Sequence, residues 1–384
     1  MSQLGGAGGA GGAGGAGGAG GAGGAGGAGG AGGAGGAGGA MLGTLGDVYA
    51  NPIMVDALIK GREGTTVPEN PPLCYAPALP TTSPPPPLDI PQQMERWEPW
   101  VRAYIAIGEM LQGITFQPST PTSTTFQVSS TSLIAEIERP MDATFQAQIP
   151  MVLSWAELRN ERATEIMAQI DPQYAFWSSI VYMHPDRTRR TFELVNMVLQ
   201  FCVYVEMRFK QALACYRPVE HNAQVQPMLT TPGHGSYPMG HATQGYAVAT
   251  VLESLLSLNP VKHAGVIEQL QRQVARIATN RVVAGLHFPV DSMAGRMLGV
   301  ALGEYFVGRC TGSQTSKSRT FKVGDINTIP TIDFNPFSND QSLTSASGRF
   351  YSYTQAGPIK QSPLMGHVWT MARDEWTGRF GVPV

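Results

Sequence analysis

The first forty residues constrain the fold of this chain more than any other feature. After Met1–Leu4, the tripeptide Gly-Gly-Ala repeats twelve times without interruption, from Gly5 to Ala40. Glycine loses more conformational entropy on ordering than any other residue, and alanine offers little apolar surface to bury. We therefore predict that residues 1–40 are a flexible low-complexity tail or linker, and that a core is built from the 344 residues that follow.

Charge and hydropathy exclude several classes of partner. The chain has 26 basic and 28 acidic residues, a formal net charge of -2 and no block of lysines or arginines, so neither a nucleic acid nor an anionic membrane is an expected partner. No apolar run reaches the roughly 18 residues that a membrane span needs. The chain does not open with a charged segment followed by an apolar one, which predicts a cytoplasmic protein. Its four cysteines are widely spaced and predict free thiols.

Composition divides the rest of the chain into four segments. Residues 41–92 are rich in proline and predict an extended segment that wraps the surface, because dense prolines forbid regular helix. Apolar residues at helical spacing predict an N-terminal helical region over residues 93–190. The same spacing predicts a helical core over residues 191–310, which carries the chemistry. Residues 311–384 are rich in Ser, Thr, Asn and Gly and predict a coil-rich C-terminal extension.

Apolar residues recur at helical spacing through most of residues 93–310. Helical periodicity begins near Gln93 and continues to Leu111, and further predicted helices cover residues 143–170, 188–216, 242–258, 262–284 and 291–307. Residues 118–132 are rich in Ser and Thr and predict a loop. No segment shows a convincing strand-like alternation. The expected fold class is therefore mainly α, with coil-rich extensions at both ends.

Three short clusters concentrate the residues that carry chemistry. The first cluster has a lysine and an arginine seven residues apart at the end of a long predicted helix. The second is a loop bent by glycine and proline that leads into a helix. The third has an arginine followed by a histidine and an aspartate that are four residues apart. Their members are Lys210 and Arg217, then His234, Met239, Gly240 and His241, and finally Arg281, His287 and Asp291.

Each cluster also has a simpler interpretation. Lys210 and Arg217 would suit a solvated helix face. His241 would serve as a helix cap, Arg281 would interact favourably with the end of a helix dipole, and His287 with Asp291 would form a surface pair. These interpretations leave the three clusters unrelated. Together, three cations, three histidines and the amides of a helix start are what a tetrahedral oxyanion needs for binding and proton transfer.

The order of the three clusters resembles the signature of the type-2 phosphatidic acid phosphatase superfamily. That superfamily includes soluble acid phosphatases, membrane lipid phosphatases and vanadium-dependent haloperoxidases. The resemblance covers roughly residues 210–295 and rests on three patterns, K-x6-R-P from Lys210, P-x-G-H from Pro238 and R-x5-H-x3-D from Arg281. It implies a helical bundle of the vanadium haloperoxidase and acid phosphatase type.

Within that superfamily the sequence is most similar to the algal bromoperoxidases. The run from His241 to Gln244, the apolar stretch after it and His234 seven residues before His241 carry this similarity. The lead-in from Gly235 to Pro238 is instead similar to bacterial acid phosphatases. Two enzyme functions therefore stay open, a haloperoxidase that favours bromide and a phosphatase acting through a phosphohistidine. A homologue that only binds an oxyanion or has a structural role is a third.

The resemblance implies a role for each residue of the three clusters. His287 would ligate the metal of a vanadate cofactor, and Asp291 would fix the tautomer of its ring. The positive charges and one amide would hold the oxyanion, contributed by Lys210, Arg217, Arg281 and Gly240. His241 would transfer protons as hydrogen peroxide reacts, and Lys210 would polarise the bound peroxide. Halide and a small organic acceptor would be the other substrates. Phosphate would occupy the same place, and a homo-oligomer is compatible with the family.

Two positions carry further expectations from the resemblance. Met239 stands where the family usually has a serine, so the expected oxyanion site has one hydroxyl donor fewer. His234 is expected over the vanadate, where its imidazole would bond the bound peroxide or, when charged, attract halide.

Overall fold

The computed structural model of the protein describes residues 52–65, 84–170, 173–313 and 315–384. The predicted tail at 1–40 therefore lies outside the described residues. The chain divides near residue 100 into a smaller N-terminal unit and a larger unit that runs from Val101 to Val384. All residues of the three chemical clusters belong to the larger unit.

The described part of the smaller unit contains a helix that the sequence did not predict. Helix α1 spans Pro52–Thr65, and a 3-10 helix spans Pro91–Arg96. The prediction of extended structure throughout residues 41–92 is wrong at α1, because the only proline of that helix occupies its first position, where proline is tolerated. Much of the proline-rich stretch lies outside the described residues. Helix α2, Pro99–Leu111, leads into the larger unit.

A five-stranded mixed sheet is the main departure from the sequence prediction. Its strands lie in the order β1 to β5, and only the β3–β4 pair is parallel. Their bounds are Thr115–Pro118, Thr125–Ser129, Leu133–Glu138, Ser316–Phe321 and Tyr351–Ala356. The predicted loop at 118–132 is thus wrong at β2, and the predicted coil of 311–384 is wrong at β4 and β5. Each strand has only four to six residues, too few to show alternation clearly.

The remaining regular structure of the larger unit is helical, and the mainly α class is confirmed. The helices α3 to α12 span Asp142–Trp155, Arg159–Ala168, Tyr174–Val181, Arg189–Leu213, Pro218–His221, Gly240–Leu255, Ala264–Val283, Pro289–Thr311, Gly324–Thr328 and Pro363–Asp374. Short 3-10 helices span Ala156–Leu158, Ala223–Val225 and Asn339–Gln341. Helix α12 is a further regular element within the C-terminal extension, which the sequence predicted to be rich in coil. None of the helices in the described part is both long and apolar enough to span a membrane.

Helices α8 and α10 lie side by side in the core and run in the same direction. Gly295 of α10 packs so closely on the start of α8 that a Cβ there would lie 2.6 Å from the carbonyl oxygen of Met239. One turn further on, Gly299 packs on the backbone of Thr243. The absence of side chains at these glycines permits the close approach. As a result, the N-termini of both helices lie at the same end of the core.

Candidate active site

The three clusters meet at the termini of four helices, two C-terminal and two N-terminal. Lys210 lies in the last turn of α6 and Arg281 in the last turn of α9, while α8 begins at Gly240 and Asp291 lies in the first turn of α10. The side chains that carry the predicted chemistry are almost completely buried, each 3% exposed or less, namely Lys210, Arg217, His241, Arg281, His287 and Asp291. The solvated helix face and the surface His–Asp pair are therefore wrong.

His287 is held by Asp291 on one side of its ring. Its Nδ1 lies 2.9 Å from Oδ2 of Asp291, one helical turn further along the chain. The same oxygen accepts the backbone N–H of Phe288 at 2.9 Å and the hydroxyl of Ser236. With Asp291 ionised, Nδ1 carries the proton and Nε2 keeps its lone pair. Burial raises the pKa of Asp291 to about 6, and burial followed by Arg217 and Lys210 lowers the pKa of His287 well below its usual value.

Arg217 contacts the other side of the His287 ring. Its Nη1 lies 2.8 Å from Nε2 of His287 and also donates to the carbonyl oxygen of Leu286 at 2.9 Å. Its Nε donates to the carbonyl oxygen of His234 at 3.1 Å. Burial lowers the pKa of Arg217 to about 10, so the guanidinium remains charged at neutral pH. Arg217 thus directs a positive charge at the lone pair of His287.

Lys210 anchors the loop that precedes α8. Its Nζ donates to the carbonyl oxygens of Gly235 and Ser236, each at 2.9 Å. Burial, followed by the charge of Arg217, lowers the pKa of Lys210 to about 7. An ammonium group is more expensive to bury beside another cation than alone. The positive charge at Lys210 is therefore incompletely balanced by the protein itself.

His241 and Arg281 are connected through the C-terminal end of α4. The Nε2 of His241 lies 2.9 Å from the carbonyl oxygen of Gln169 and donates to it. Arg281 donates through Nη2 to the carbonyl oxygen of Ile166 at 2.7 Å and approaches Oε1 of Gln169 at 3.5 Å. This arrangement leaves Nδ1 of His241 as a proton acceptor. Burial, followed by Arg281, lowers the pKa of His241 well below its usual value.

Several buried polar atoms of the site have no hydrogen-bond partner among the described residues. They are Nε of Arg281, Oδ1 of Asp291 and Oε2 of Glu206. Buried polar groups are normally paired, so such atoms indicate a missing partner. The site also holds three basic side chains against two carboxyl groups. A bound anion with several acceptor oxygens would satisfy the free donor at Arg281 and reduce the excess positive charge. The two carboxyl oxygens need a donor or a proton of their own instead.

His234 lies at the partly exposed side of the site. Its ring is half-buried, and its Nδ1 lies 3.1 Å from Nη2 of Arg217. Burial, followed by the charges of Lys210 and Arg217, lowers the pKa of His234 to about 3. In the protein without a bound anion, His234 is therefore neutral at physiological pH. A neutral imidazole suits the predicted hydrogen bond to peroxide, and its contact with Arg217 fixes one side of the ring.

Met239 occupies the position just before α8 without capping the helix. Its side chain makes no capping hydrogen bond and lies with its sulfur 3.8 Å from Oγ of Ser292. The first N–H groups of a helix have no intrahelical acceptor, so the start of α8 at Gly240 offers amide donors. Met239 adds no donor to them.

Replacing Met239 with serine should strengthen oxyanion binding. A hydroxyl next to the amides of α8 supplies one additional hydrogen bond, which is worth about 0.5–1.5 kcal/mol and corresponds to a two- to tenfold lower dissociation constant. Isothermal titration of the wild type and Met239→Ser with orthovanadate and with phosphate measures the difference. Equal or weaker binding by the serine variant would show that the methionine belongs to a differently constructed site.

Three residues of the site were missed in the sequence. Glu206 lies one turn before Lys210 on α6, and its spacing gave a signal that could have been used, since residues four apart share a helix face. Gln169 has no such signal, because its place beside His241 depends on the packing of distant segments. Ser236 belongs to the loop that was singled out, but its bond to Asp291 was not foreseen.

Comparison with known proteins adds no assignment. No protein-family model matches the sequence, and a search of curated proteins found no match.

Proposed function

We propose that the protein is a vanadium-dependent haloperoxidase that oxidises halide, bromide in preference, with hydrogen peroxide. We further propose that its helical core belongs to the bundle type shared by these haloperoxidases and the acid phosphatases. One observation carries the proposal. A neutral His287, oriented by Asp291, presents the lone pair of Nε2 within a buried group of cations. That arrangement suits a ligand that is both an oxyanion and a metal centre.

The residues present fit vanadate. His287 would ligate the metal through Nε2, and Arg217, Lys210 and Arg281 would neutralise the oxygens. The unpaired Nε of Arg281 is a donor that the described residues leave free. The first amides of α8 have no acceptor within their own helix and add further donors. Vanadate, when bound, acts as a Lewis acid that activates hydrogen peroxide toward halide without a change of oxidation state.

Asp291 keeps His287 competent as a ligand. Its Oδ2 holds the proton on Nδ1, so the electron pair of Nε2 stays available. The backbone N–H of Phe288 and the hydroxyl of Ser236 bond the same carboxylate and fix its orientation. Asp291 also lies in the first turn of α10, where the helix dipole favours its negative charge. The ring therefore needs no reorientation before it binds.

His241 is suited to accept a proton from hydrogen peroxide. Its Nε2 donates to the carbonyl of Gln169, which leaves Nδ1 to receive the proton. The lowered pKa keeps the ring neutral before the reaction. Arg281 approaches the same glutamine and disfavours a long-lived imidazolium, so the proton is passed on readily.

A phosphatase is the second candidate, and the same geometry at His287 favours it. Nε2 of His287 could attack phosphorus, forming an N–P bond as the P–O bond to the alcohol breaks. His241 would then have to donate a proton to the departing oxygen. In the protein without an anion this proton is absent, because burial and then Arg281 lower the pKa of His241 well below its usual value. The preference for the haloperoxidase rests on the similarity of His234 and of the run from His241 to Gln244 to the algal bromoperoxidases.

Parallel assays separate the two activities and the third, non-catalytic alternative. The protein is incubated with orthovanadate, hydrogen peroxide and bromide, and bromination of a small organic acceptor is followed, while hydrolysis of p-nitrophenyl phosphate is measured without vanadate. We expect bromination that depends on added vanadate and little hydrolysis. Hydrolysis without bromination would establish the phosphatase. Oxyanion binding with neither activity would leave a binding protein.

Two further expectations concern the choice of halide and the role of His234. Bromide is easier to oxidise than chloride, so we expect bromination with weak or no chlorination. His234→Ala should lower bromination about tenfold or more, because loss of an outer hydrogen-bond partner typically costs that much. Here the partner is Arg217, whose Nη2 would lose its contact with the ring. Equal chlorination and bromination by the wild type, or an unaltered His234→Ala variant, would contradict this expectation and leave the haloperoxidase proposal in place.

A further inference from the structure

Glu206 of α6 is a buried carboxyl group that packs on the start of α8 and has no part in the chemistry proposed for His287 and His241. Its side chain is fully buried, and its Oε1 accepts a hydrogen bond from Nε2 of Gln244 at 2.8 Å. A Cβ at Gly240 would lie 2.6 Å from Oε1 and 3.3 Å from Oε2, so the carboxyl group packs directly on the first residue of α8. Its Oε2 has no hydrogen-bond partner among the described residues.

Burial favours the neutral form of Glu206, and the charges of Lys210 and Arg217 oppose it. Lys210 directs its Nζ at the carbonyl oxygens of Gly235 and Ser236, and Arg217 bonds His287 and backbone carbonyls. No hydrogen bond joins either cation to Glu206 within the described residues, although both are near enough to act on its charge. A buried carboxylate needs donors on both oxygens, whereas a carboxylic acid needs an acceptor for its proton. With Oε1 bonded by Gln244, the proton belongs on Oε2.

We propose that Glu206 binds the oxyanion directly, as a carboxylic acid whose Oε2–H donates a hydrogen bond to one of its oxygens. The inference rests on the proposed function, because it requires an oxyanion at the start of α8. The unpartnered oxygen lies beside Gly240, where the first amides of α8 have no acceptor within their own helix. It also supplies the protonated donor that Met239 cannot provide. Burial raises the pKa of Glu206 to about 7, in keeping with this protonation state.

An ionised Glu206 would have the opposite effect on binding. Its negative charge would balance Lys210 and Arg217 and would repel an incoming oxyanion. Removing the carboxylate would then strengthen binding. Removing a donor carboxylic acid would weaken it. The two states of Glu206 therefore predict changes of opposite sign for the same substitution.

Two substitutions of Glu206 test the proposal. In Glu206→Gln the amide oxygen can accept from Gln244 while the amide nitrogen donates from the place of Oε2. Glu206→Met has a similar length and no strong donor. At about pH 6 we expect Glu206→Gln to bind orthovanadate and inorganic phosphate within about threefold of the wild type. Glu206→Met should bind them about tenfold more weakly or worse, the usual effect of losing a hydrogen bond to a charged group.

Glu253→Met is the matched control. Like Glu206, Glu253 accepts a hydrogen bond from a glutamine, Nε2 of Gln271 at 2.7 Å. It lies on α8 itself, at the opposite end of that helix from Gly240. This variant should bind both oxyanions as the wild type does. Circular dichroism and thermal melting confirm that each variant is folded, and Glu206→Gln decides the test if Glu206→Met does not fold.

The titrations give distinct outcomes for the two proposals. Unchanged or tighter binding by Glu206→Met, or binding at least tenfold tighter by Glu206→Gln, would overturn the donor role and identify Glu206 as an ionised counter-charge. Loss of binding in both Glu206 variants would also overturn it, because the amide donor should suffice. If the wild type binds neither orthovanadate nor phosphate, the proposed function fails together with this inference.

Discussion

Replacing His287 with alanine is expected to abolish vanadate-dependent bromination, with a loss of about 10³-fold or more. Loss of an outer partner of a metal ligand costs about 10- to 100-fold, and loss of the ligand itself should cost more. His287 is the one histidine of the site whose ring is fixed on both sides, by Asp291 at Nδ1 and by Arg217 at Nε2. The rate of bromination at saturating bromide and peroxide measures the loss.

His184→Ala is the matched control for this substitution. His184 lies in the loop between α5 and α6, and its side chain is 41% exposed. Its removal should leave the rate within twofold of the wild type. Circular dichroism of His287→Ala shows whether the fold is retained. A folded His287→Ala variant that brominates at a comparable rate would remove His287 from the proposed chemistry.

Replacing His241 with alanine should lower kcat about 10²- to 10³-fold, the contribution of a positioned proton acceptor. Because His241 is assigned to proton transfer and not to holding the oxyanion, the dissociation constant for orthovanadate should stay within about threefold of the wild type. Steady-state bromination and isothermal titration of the same variant measure the two quantities.

A loss of kcat without a loss of vanadate affinity would distinguish His241 from a merely structural residue. Its bond to Gln169 connects the start of α8 to the end of α4, so a structural role would also show in vanadate affinity and in melting temperature. A His241→Ala variant that loses vanadate binding in proportion to its rate would contradict the assignment of proton transfer. His184→Ala again serves as the control.

The sequence predicted the helices better than the sheet, for a physical reason. Helices α6, α8, α9 and α10 are stabilised by local hydrogen bonds, and their apolar faces repeat within one window of sequence. The parallel pairing of β3 with β4 joins segments about 180 residues apart, such as Ala135 with Arg319. Strand β4 reads Ser-Lys-Ser-Arg-Thr-Phe, a polar stretch that only its neighbours in the sheet stabilise.

At the site, too, contacts between residues close in sequence could be predicted, and contacts between distant segments could not. The contact between His287 and Asp291 follows from four-residue spacing at a helix start, and it could be predicted. The bonds from Lys210 to the loop carbonyls and from His241 to Gln169 depend on how distant segments pack. The neutral state of His234 could not be predicted either, because it depends on burial beside two cations.

The structure of the protein crystallised with orthovanadate tests the central claim most directly. In the protein alone, Nη1 of Arg217 lies 2.8 Å from Nε2 of His287, so a metal bound to that nitrogen must displace this hydrogen bond. We expect vanadium bonded to Nε2 of His287, with Arg217 and Nε of Arg281 turned to its oxygens. Vanadate bound elsewhere, or a site that stays empty at saturating vanadate with Arg217 still on His287, would contradict it.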